Sequence, residues 1–448
     1  MLANPACTPT LLSGWGRYPR LEGRLATPRT ADDLAACLSS APLAARGNAR
    51  SYGDASFGSG LTVDMRRLGR LLDFDDGTGE LRCEAGVLLS EIVEVFTPRG
   101  WFPPVTPGTK YVTVGGMVAS DVHGKNHHGA GSFCDHVVSL RLALGDGTVL
   151  TCSPHEHPEL FAATCGGMGL TGLVLEVTFR LVPVRTSVIV QETIRAPDLA
   201  AAMEIFEREV GRTYSVAWID CLASGPDLGR SVIVLGEHAA PDDLEPGRCD
   251  APFARPPART RRVPVDFPAF ALNRLSVSLF NRLYYGTHGP GRKLVDLDPY
   301  FYPLDAIQDW NRIYGRGGFV QYQCVLPLET SREGLEALLT EIARVGLASF
   351  LAVLKRLGRE SFGYLSFPRE GYTLALDFPA NPDTFALLER LDRIVLEGGG
   401  RLYLAKDARM SAPMFRAGYP RLAQFNAVRR RYGVERRFRS ALAERLEL

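Results

Sequence analysis

The chain has 448 residues, 46% hydrophobic and 23% charged, with 51 Lys and Arg against 50 Asp and Glu. At about 100–200 residues per domain, this describes a folded protein of roughly two to four domains, too apolar for disorder. A formal charge of +1 excludes a surface dominated by nucleic-acid electrostatics, and no nucleic-acid partner is expected.

Nine cysteines, an odd number, are scattered without a CxxC pair, which points to free thiols in a reducing compartment. No apolar run reaches the ~18 residues that span a bilayer. Residues 1–20 lack a basic segment followed by an apolar one, so no signal peptide is read and a cytoplasmic location is expected.

The predicted elements begin with a helix over 30–40, with Thr30 as N-cap and Asp32 and Asp33 at its positive end. A strand follows at 61–65, then a hairpin of 70–74 with 80–84, and a helix over 88–96. A second hairpin pairs 137–144 with 148–152 around Gly145-Asp146-Gly147. A helix at 158–164 and a strand at 173–181 close this part. Beyond about residue 186 the spacing predicts a helix over 198–210, strands at 214–221 and 231–236, and helices at 332–345 and 383–396. The tail 421–448 reads as helical. The mixture is α+β rather than a strict βαβ alternation.

Glycine loops carry the chemistry. GMGLTG at 167–172 matches GxGxxG, but a predicted helix precedes it and a strand follows. A dinucleotide fingerprint leaves a strand and opens a helix, so a tight turn is the better reading here. In RGNARSYGD at 46–54, backbone N–H groups, the Ser51 hydroxyl and two arginines suit an anion nest. PGT at 107–109 and TVGG at 113–116 lead into DVHGKNHH at 121–128, and their glycines allow close backbone approach to a ligand. His123 and His127 are four apart, but no carboxylate or thiolate completes a metal motif, so no metal is expected. No GxSxG elbow or P-loop supports a hydrolase or kinase.

These motifs resemble the vanillyl-alcohol-oxidase (PCMH) type of FAD-binding family. LSGWGR (12–17), AGSFCDHV (130–137), GGMGLTG (166–172), AWID (217–220), WNRIYG (310–315), FVQYQ (319–323), LSFP (365–368), LDFP (376–379) and GGRLYLAKDAR (399–409) extend the resemblance across nearly the whole chain. They bring it closest to the subfamily of decaprenylphosphoryl-β-D-ribose 2'-oxidases, the flavin subunits of a 2'-epimerase. The resemblance implies a two-subdomain FAD-binding domain at 1–185, to which 400–448 returns. It also implies a mixed α/β substrate (cap) domain with an antiparallel sheet at 186–399, carrying a mobile basic and apolar loop at 240–300.

FAD contacts are implied for Arg46, Gly47, Asn48, Ala49, Arg50, Ser51, Tyr52, Gly53, Gly108, Thr113, Val114, Gly115, Gly116, His123, Gly124, Lys125, Asn126, Val174 and Tyr403. Relatives with a covalent flavin often carry His before the Ser of the first loop; Arg50 stands there, so non-covalent FAD is expected. The implied reaction oxidises a ribose 2'-hydroxyl to a ketone by hydride transfer to flavin N5. Lys406 matches the active-site lysine, and His123 is the second catalytic candidate, ordering flavin or substrate rather than acting as base. Lys125 and Lys355 match phosphate-pairing lysines, Gln323 and Tyr302 sugar-orienting groups, and Trp218 a pocket wall, with Asp377 and Lys406 completing the substrate set. Ala375 and Thr373 alter that wall where some relatives carry a cysteine before LDFP.

The implied partners are a polyprenyl-phosphate sugar and an NAD(P)H-dependent keto-reductase. The segment 255–293 holds Arg255, Arg259, Arg261, Arg262, Arg274, Arg282, Arg292 and Lys293 against Asp266 alone, among residues such as Phe267, Phe270, Leu272, Leu275, Leu279 and Leu283. That mixture suits peripheral contact with an anionic membrane face. An alditol or aldonolactone oxidase of the same fold, and a non-catalytic flavin-fold binding subunit, are the competing readings.

Overall fold

The computed structural model describes residues 7–40, 42–256, 260–268, 273–347, 349 and 351–448. Arg259, Phe270 and Leu272 of the basic segment lie outside these. Cys7–Ser13, Arg20–Ala26, Leu61–Asp64 and Leu43–Arg46 form a four-stranded sheet in that order, antiparallel in the first pair and parallel thereafter. Parallel pairing of Leu43–Arg46 with Leu61–Asp64 forces the chain between them to run back along the sheet to the start of the next strand. Residues 47–60 make that return, and the 46–54 loop is its first part. Thr30 caps the helix Ala31–Leu38, its Oγ1 accepting from Asp33 N while the Asp33 carboxylate accepts from Thr30 N.

A five-stranded antiparallel sheet runs Leu71–Asp75, Glu80–Glu84, Leu173–Arg180, Val137–Ala143, Val149–Cys152. Both predicted hairpins are present, turning at Gly79 (φ 74°) and Gly147 (φ 89°). The GxGxxG stretch is the turn from the helix Pro158–Thr164 into the strand Leu173–Arg180. It holds Met168 and Gly169 at φ of 52° and 73°, and Gly166 just before it is at 75°.

The third sheet has eight antiparallel strands, in the order Gly291–Asp296, Val188–Ala196, Ser231–His238, Tyr214–Ile219, Ala352–Leu357, Gly371–Pro379, Phe319–Pro327, Arg401–Leu402. The helices Leu199–Arg208, Ser331–Val345 and Pro382–Glu397 pack against one face and bury Leu335, Leu338, Leu339, Leu387 and Leu391 there. The other face is left for the site. Residues 274–287, expected in a mobile loop, form the helix Arg274–Thr287, and Gly291–Asp296 is an edge strand.

The tail is two helices, Leu422–Arg431 and Ala441–Arg445, rather than one helical run. Between them the backbone pairs with the first sheet: Leu43 N donates to Arg437 O and Arg439 N to Leu43 O. Arg445 then pairs with Asp54 and Asp407 at 2.8 Å each.

Candidate active site

A cavity of about 850 Å3 runs from the 46–54 loop to the open face of the eight-stranded sheet. Side chains alternate across a strand with a period of two, and that alternation builds the wall. Gln321 and Gln323, Val353 and Lys355, Ala375 and Asp377, and Val216 and Trp218 all line the cavity. The intervening Tyr322, Leu354 and Leu376 are buried in the core. Register sets Gln321 opposite Asp377, Gln323 opposite Ala375 and Lys355 opposite Thr373.

At the other end, the N–H groups of Gly47, Asn48, Ala49, Arg50 and Ser51 have no hydrogen-bond partner among the described residues. Successive unpaired amides make an anion nest, and Ala49 at φ 52° turns the chain to present them. Asn48 Nδ2 donates to Tyr111 O at 2.8 Å, tying this loop to the 107–116 segment. The Arg50 guanidinium stacks 4.1 Å from the Trp15 ring. A Cβ on Gly47 would lie 2.2 Å from Thr113 Oγ1, and one on Gly108 would meet nothing within 4 Å. So Gly47 is required for loop packing and Gly108 leaves open space.

TVGG works differently from a nest. Thr113 opens a short helix, Val114–Ala119, and its Oγ1 accepts from Gly116 N. Val114 N donates to Val87 O and Gly115 N to Ala85 O. These amides are already satisfied, and the glycines serve close approach.

Three buried lysines, Lys125, Lys355 and Lys406, enter the cavity. Burial and the neighbouring Lys355 charge pull Lys125 down to about 7; burial pulls Lys355 down to about 8. Lys125 Nζ donates to Tyr300 O and sits 4.1 Å from the Tyr300 ring centre. Burial lowers Lys406 and raises Asp377, and each charge opposes the other's shift. Lys406 Nζ lies 3.8 Å over the Tyr52 ring. Gln321 Nε2 donates to Asp377 Oδ1 at 2.6 Å, while Oδ2 is buried without a partner.

A chain of hydrogen bonds fixes the protonation pattern of His123. The Cys324 carbonyl can only accept, so Thr373 Oγ1 donates to it at 2.8 Å. Thr373 Oγ1 must then accept from Gln323, at 3.2 Å, which fixes that contact as the Gln323 amide nitrogen. The same nitrogen donates to His123 Nε2 at 3.0 Å. His123 therefore carries its proton on Nδ1, a buried donor with no partner. Burial, then the Lys355 charge, holds its pKa well below the usual imidazole range. It is a neutral hydrogen-bond donor, not a proton carrier.

Most expected site residues line this one cavity: Arg46 to Tyr52, Gly108, Thr113, Gly115, Gly116, His123, Gly124, Lys125, Val174 and Tyr403 of the cofactor set, and Trp218, Gln323, Lys355, Asp377 and Lys406 of the substrate set. Four stand behind its wall. Val114 is wholly buried in the core, and Asn126 donates its Nδ2 to Pro104 O at 2.8 Å. Gly53 packs on the Asp407 carbonyl, where a Cβ would come within 1.9 Å. Tyr302 is 1% exposed and points into the core beside Phe301. Reasoning from sequence did not single out Gln321, Trp15 or Tyr300; the i, i+2 spacing of Gln321 and Gln323 was the available signal for the first.

The FAD binding domain family model matches residues 24–153. Decaprenylphosphoryl-beta-D-ribose oxidase of Mycolicibacterium smegmatis is 38% identical over 98% of this chain and 97% of its own. The chain belongs to the decaprenylphosphoryl-ribose oxidase family. An uncharacterized protein of Streptomyces coelicolor is 36% identical over 81% of this chain and all of its own. L-gulonolactone oxidase of Mus musculus is 32% identical over 31% of each chain. Members of the decaprenylphosphoryl-ribose oxidase family are flavoproteins, and this chain is an FAD-dependent oxidoreductase. Its residues fit the cofactor: the open amides of 47–51 suit a pyrophosphate, and the unpartnered His123 Nδ1–H suits an acceptor in the cavity.

Proposed function

We propose that the protein oxidises the 2'-hydroxyl of a polyprenylphosphoryl-β-D-ribose to the 2'-keto sugar, the first half of an epimerisation to the arabinose form. A separate NAD(P)H-dependent reductase would complete it. One observation carries this reading. Lys125 and Lys355 face the cavity and neither forms an ion pair with a carboxylate among the described residues. A phosphodiester compensates buried positive charge; a neutral lactone or alditol leaves it uncompensated. The likeness to the lactone oxidase named above covers less than a third of the chain.

FAD, when bound, would supply the acceptor for the hydride, which carries both electrons of the oxidation. The protein's part is positioning and proton handling. Lys406, favoured in its neutral form by burial, takes the hydroxyl proton, and Asp377 steadies the ammonium that results. The Gln323 amide points both hydrogens at Thr373 and His123, which leaves its carbonyl to accept from a sugar hydroxyl. Lys125 and Lys355 hold the phosphate as point charges.

Trapping the product tests the reading. The FAD-loaded enzyme is incubated with a short prenylphosphoryl ribose and an artificial electron acceptor, then quenched with borodeuteride. Deuterium at the 2' carbon of a mixed ribose and arabinose product is expected. Unlabelled ribose alone contradicts the proposal.

A further inference from the structure

The helix Arg274–Thr287 is amphipathic the wrong way round for a helix on a water-facing surface. Its inward face carries Val277 and Asn281, both buried, and Asn281 Nδ2 donates to Asp220 Oδ1 at 2.6 Å. Its outward face carries Leu275, Leu279 and Leu283, exposed by 82%, 60% and 58%. At about 100° per residue these leucines fall within one stripe, opposite Val277 and Asn281. The helix contains Arg274 and Arg282, both exposed, and no acidic residue. Arg292 and Lys293 follow on the edge strand, again exposed. On the inner side of the same helix, Phe280 and Tyr284 line the cavity, together with His288 and Lys293.

We infer that this helix is a docking surface for an anionic lipid bilayer, lying in the headgroup boundary with its leucine stripe inserted. Leucines flanked by Arg274 and Arg282, neither ion-paired among the described residues, match the two sources of attraction such a surface offers, burial of leucine and opposite charge; Arg292 pairs with Asp243 at 3.8 Å. No helix among the described residues is long and apolar enough to cross a membrane, so the contact is peripheral. Because the helix also walls the cavity, docking sets the cavity beside the lipid phase. The inference holds whichever sugar the enzyme oxidises.

Co-sedimentation of the FAD-loaded full chain with vesicles tests it, using phosphatidylcholine with and without about a third phosphatidylglycerol. Binding to the anionic vesicles is expected, at least roughly tenfold weaker on phosphatidylcholine alone and weakened by salt. The triple variant Leu275→Ser, Leu279→Ser, Leu283→Ser loses it with unchanged FAD content and melting temperature, since these side chains touch solvent. Arg274→Gln with Arg282→Gln weakens it several-fold. No pelleting with either vesicle, or equal pelleting of the triple variant, overturns the inference. So does a dimer in sedimentation velocity that the triple variant dissolves, which would give the face to a second copy of the chain.

Discussion

Single groups decide the chemistry through their surroundings. Thr373 touches no open cavity surface, yet its hydroxyl determines which way Gln323 points and where His123 carries its proton. Thr373→Val removes that hydroxyl at constant shape and leaves the Gln323 amide free to turn. A roughly tenfold or greater loss in the rate of flavin reduction is expected, with stability lowered by about 1–2 kcal/mol. Thr373→Ser should restore the rate; an unchanged rate in Thr373→Val would reduce Thr373 to a packing residue. The lysines give a pH dependence of known sign. In the ligand-free cavity Lys355 and Lys125 become charged only as pH falls through about 8 and about 7. A bound phosphodiester needs both charged, so its affinity falls as pH rises, roughly a hundredfold from about pH 6.5 to about 8.5. Titration calorimetry at several pH values measures it, and a flat profile contradicts the pairing. Lys125 was legible in sequence within DVHGKNHH, whereas Lys355 lies in none of the short motifs and was reached only through the family resemblance. The partner of Gln323 was not legible: Thr373 bonds it across two strands, a pairing that only the sheet register reveals.

At the level of elements, the loop and the short helix form one cradle. Gly47 lies against Thr113, whose hydroxyl caps Val114–Ala119. Gly47→Ala places a methyl 2.2 Å from that hydroxyl, so the cap or the loop must shift. FAD affinity should fall at least about tenfold, read by flavin fluorescence quenching, with smaller loss of stability. Unchanged affinity would show that the loop position does not matter to the cofactor. The hairpins and the helices 158–164 and 383–396 were readable because alternation or helical spacing is strong there. Gly371–Pro379, the strand carrying Ala375 and Asp377, was not. Eight of its nine residues are buried, so its two faces differ by polarity only at Thr373 and Asp377. The helix at 274–287 was hidden for the opposite reason, since its leucines face outward and its apolar spacing marks no core.

Across the whole molecule, distant parts of the chain meet at the site. The tail returns to the first sheet through Leu43, and Arg445 bridges Asp54, at the end of the nest loop, to Asp407, next to Lys406. Both carboxylates are 4% exposed in their side chains. Arg445→Met leaves two buried charges unmatched, and a loss of about 3 kcal/mol in chemical denaturation is expected, with weaker FAD retention. A neutral result would mean that the tail does not clamp the site. Such a closure, joining residues nearly four hundred positions apart, cannot be read from local pattern, although the resemblance of the 399–409 motif hinted at a return.

The most direct measurement is anaerobic rapid mixing of the FAD-loaded enzyme with a short-chain prenylphosphoryl ribose, following the oxidised-flavin absorbance. Fast bleaching is predicted, slowed about a hundredfold or more in a Lys406→Met variant that still binds FAD. No bleaching with this sugar, while a soluble alditol or aldonolactone reduces the flavin, would contradict the proposed substrate.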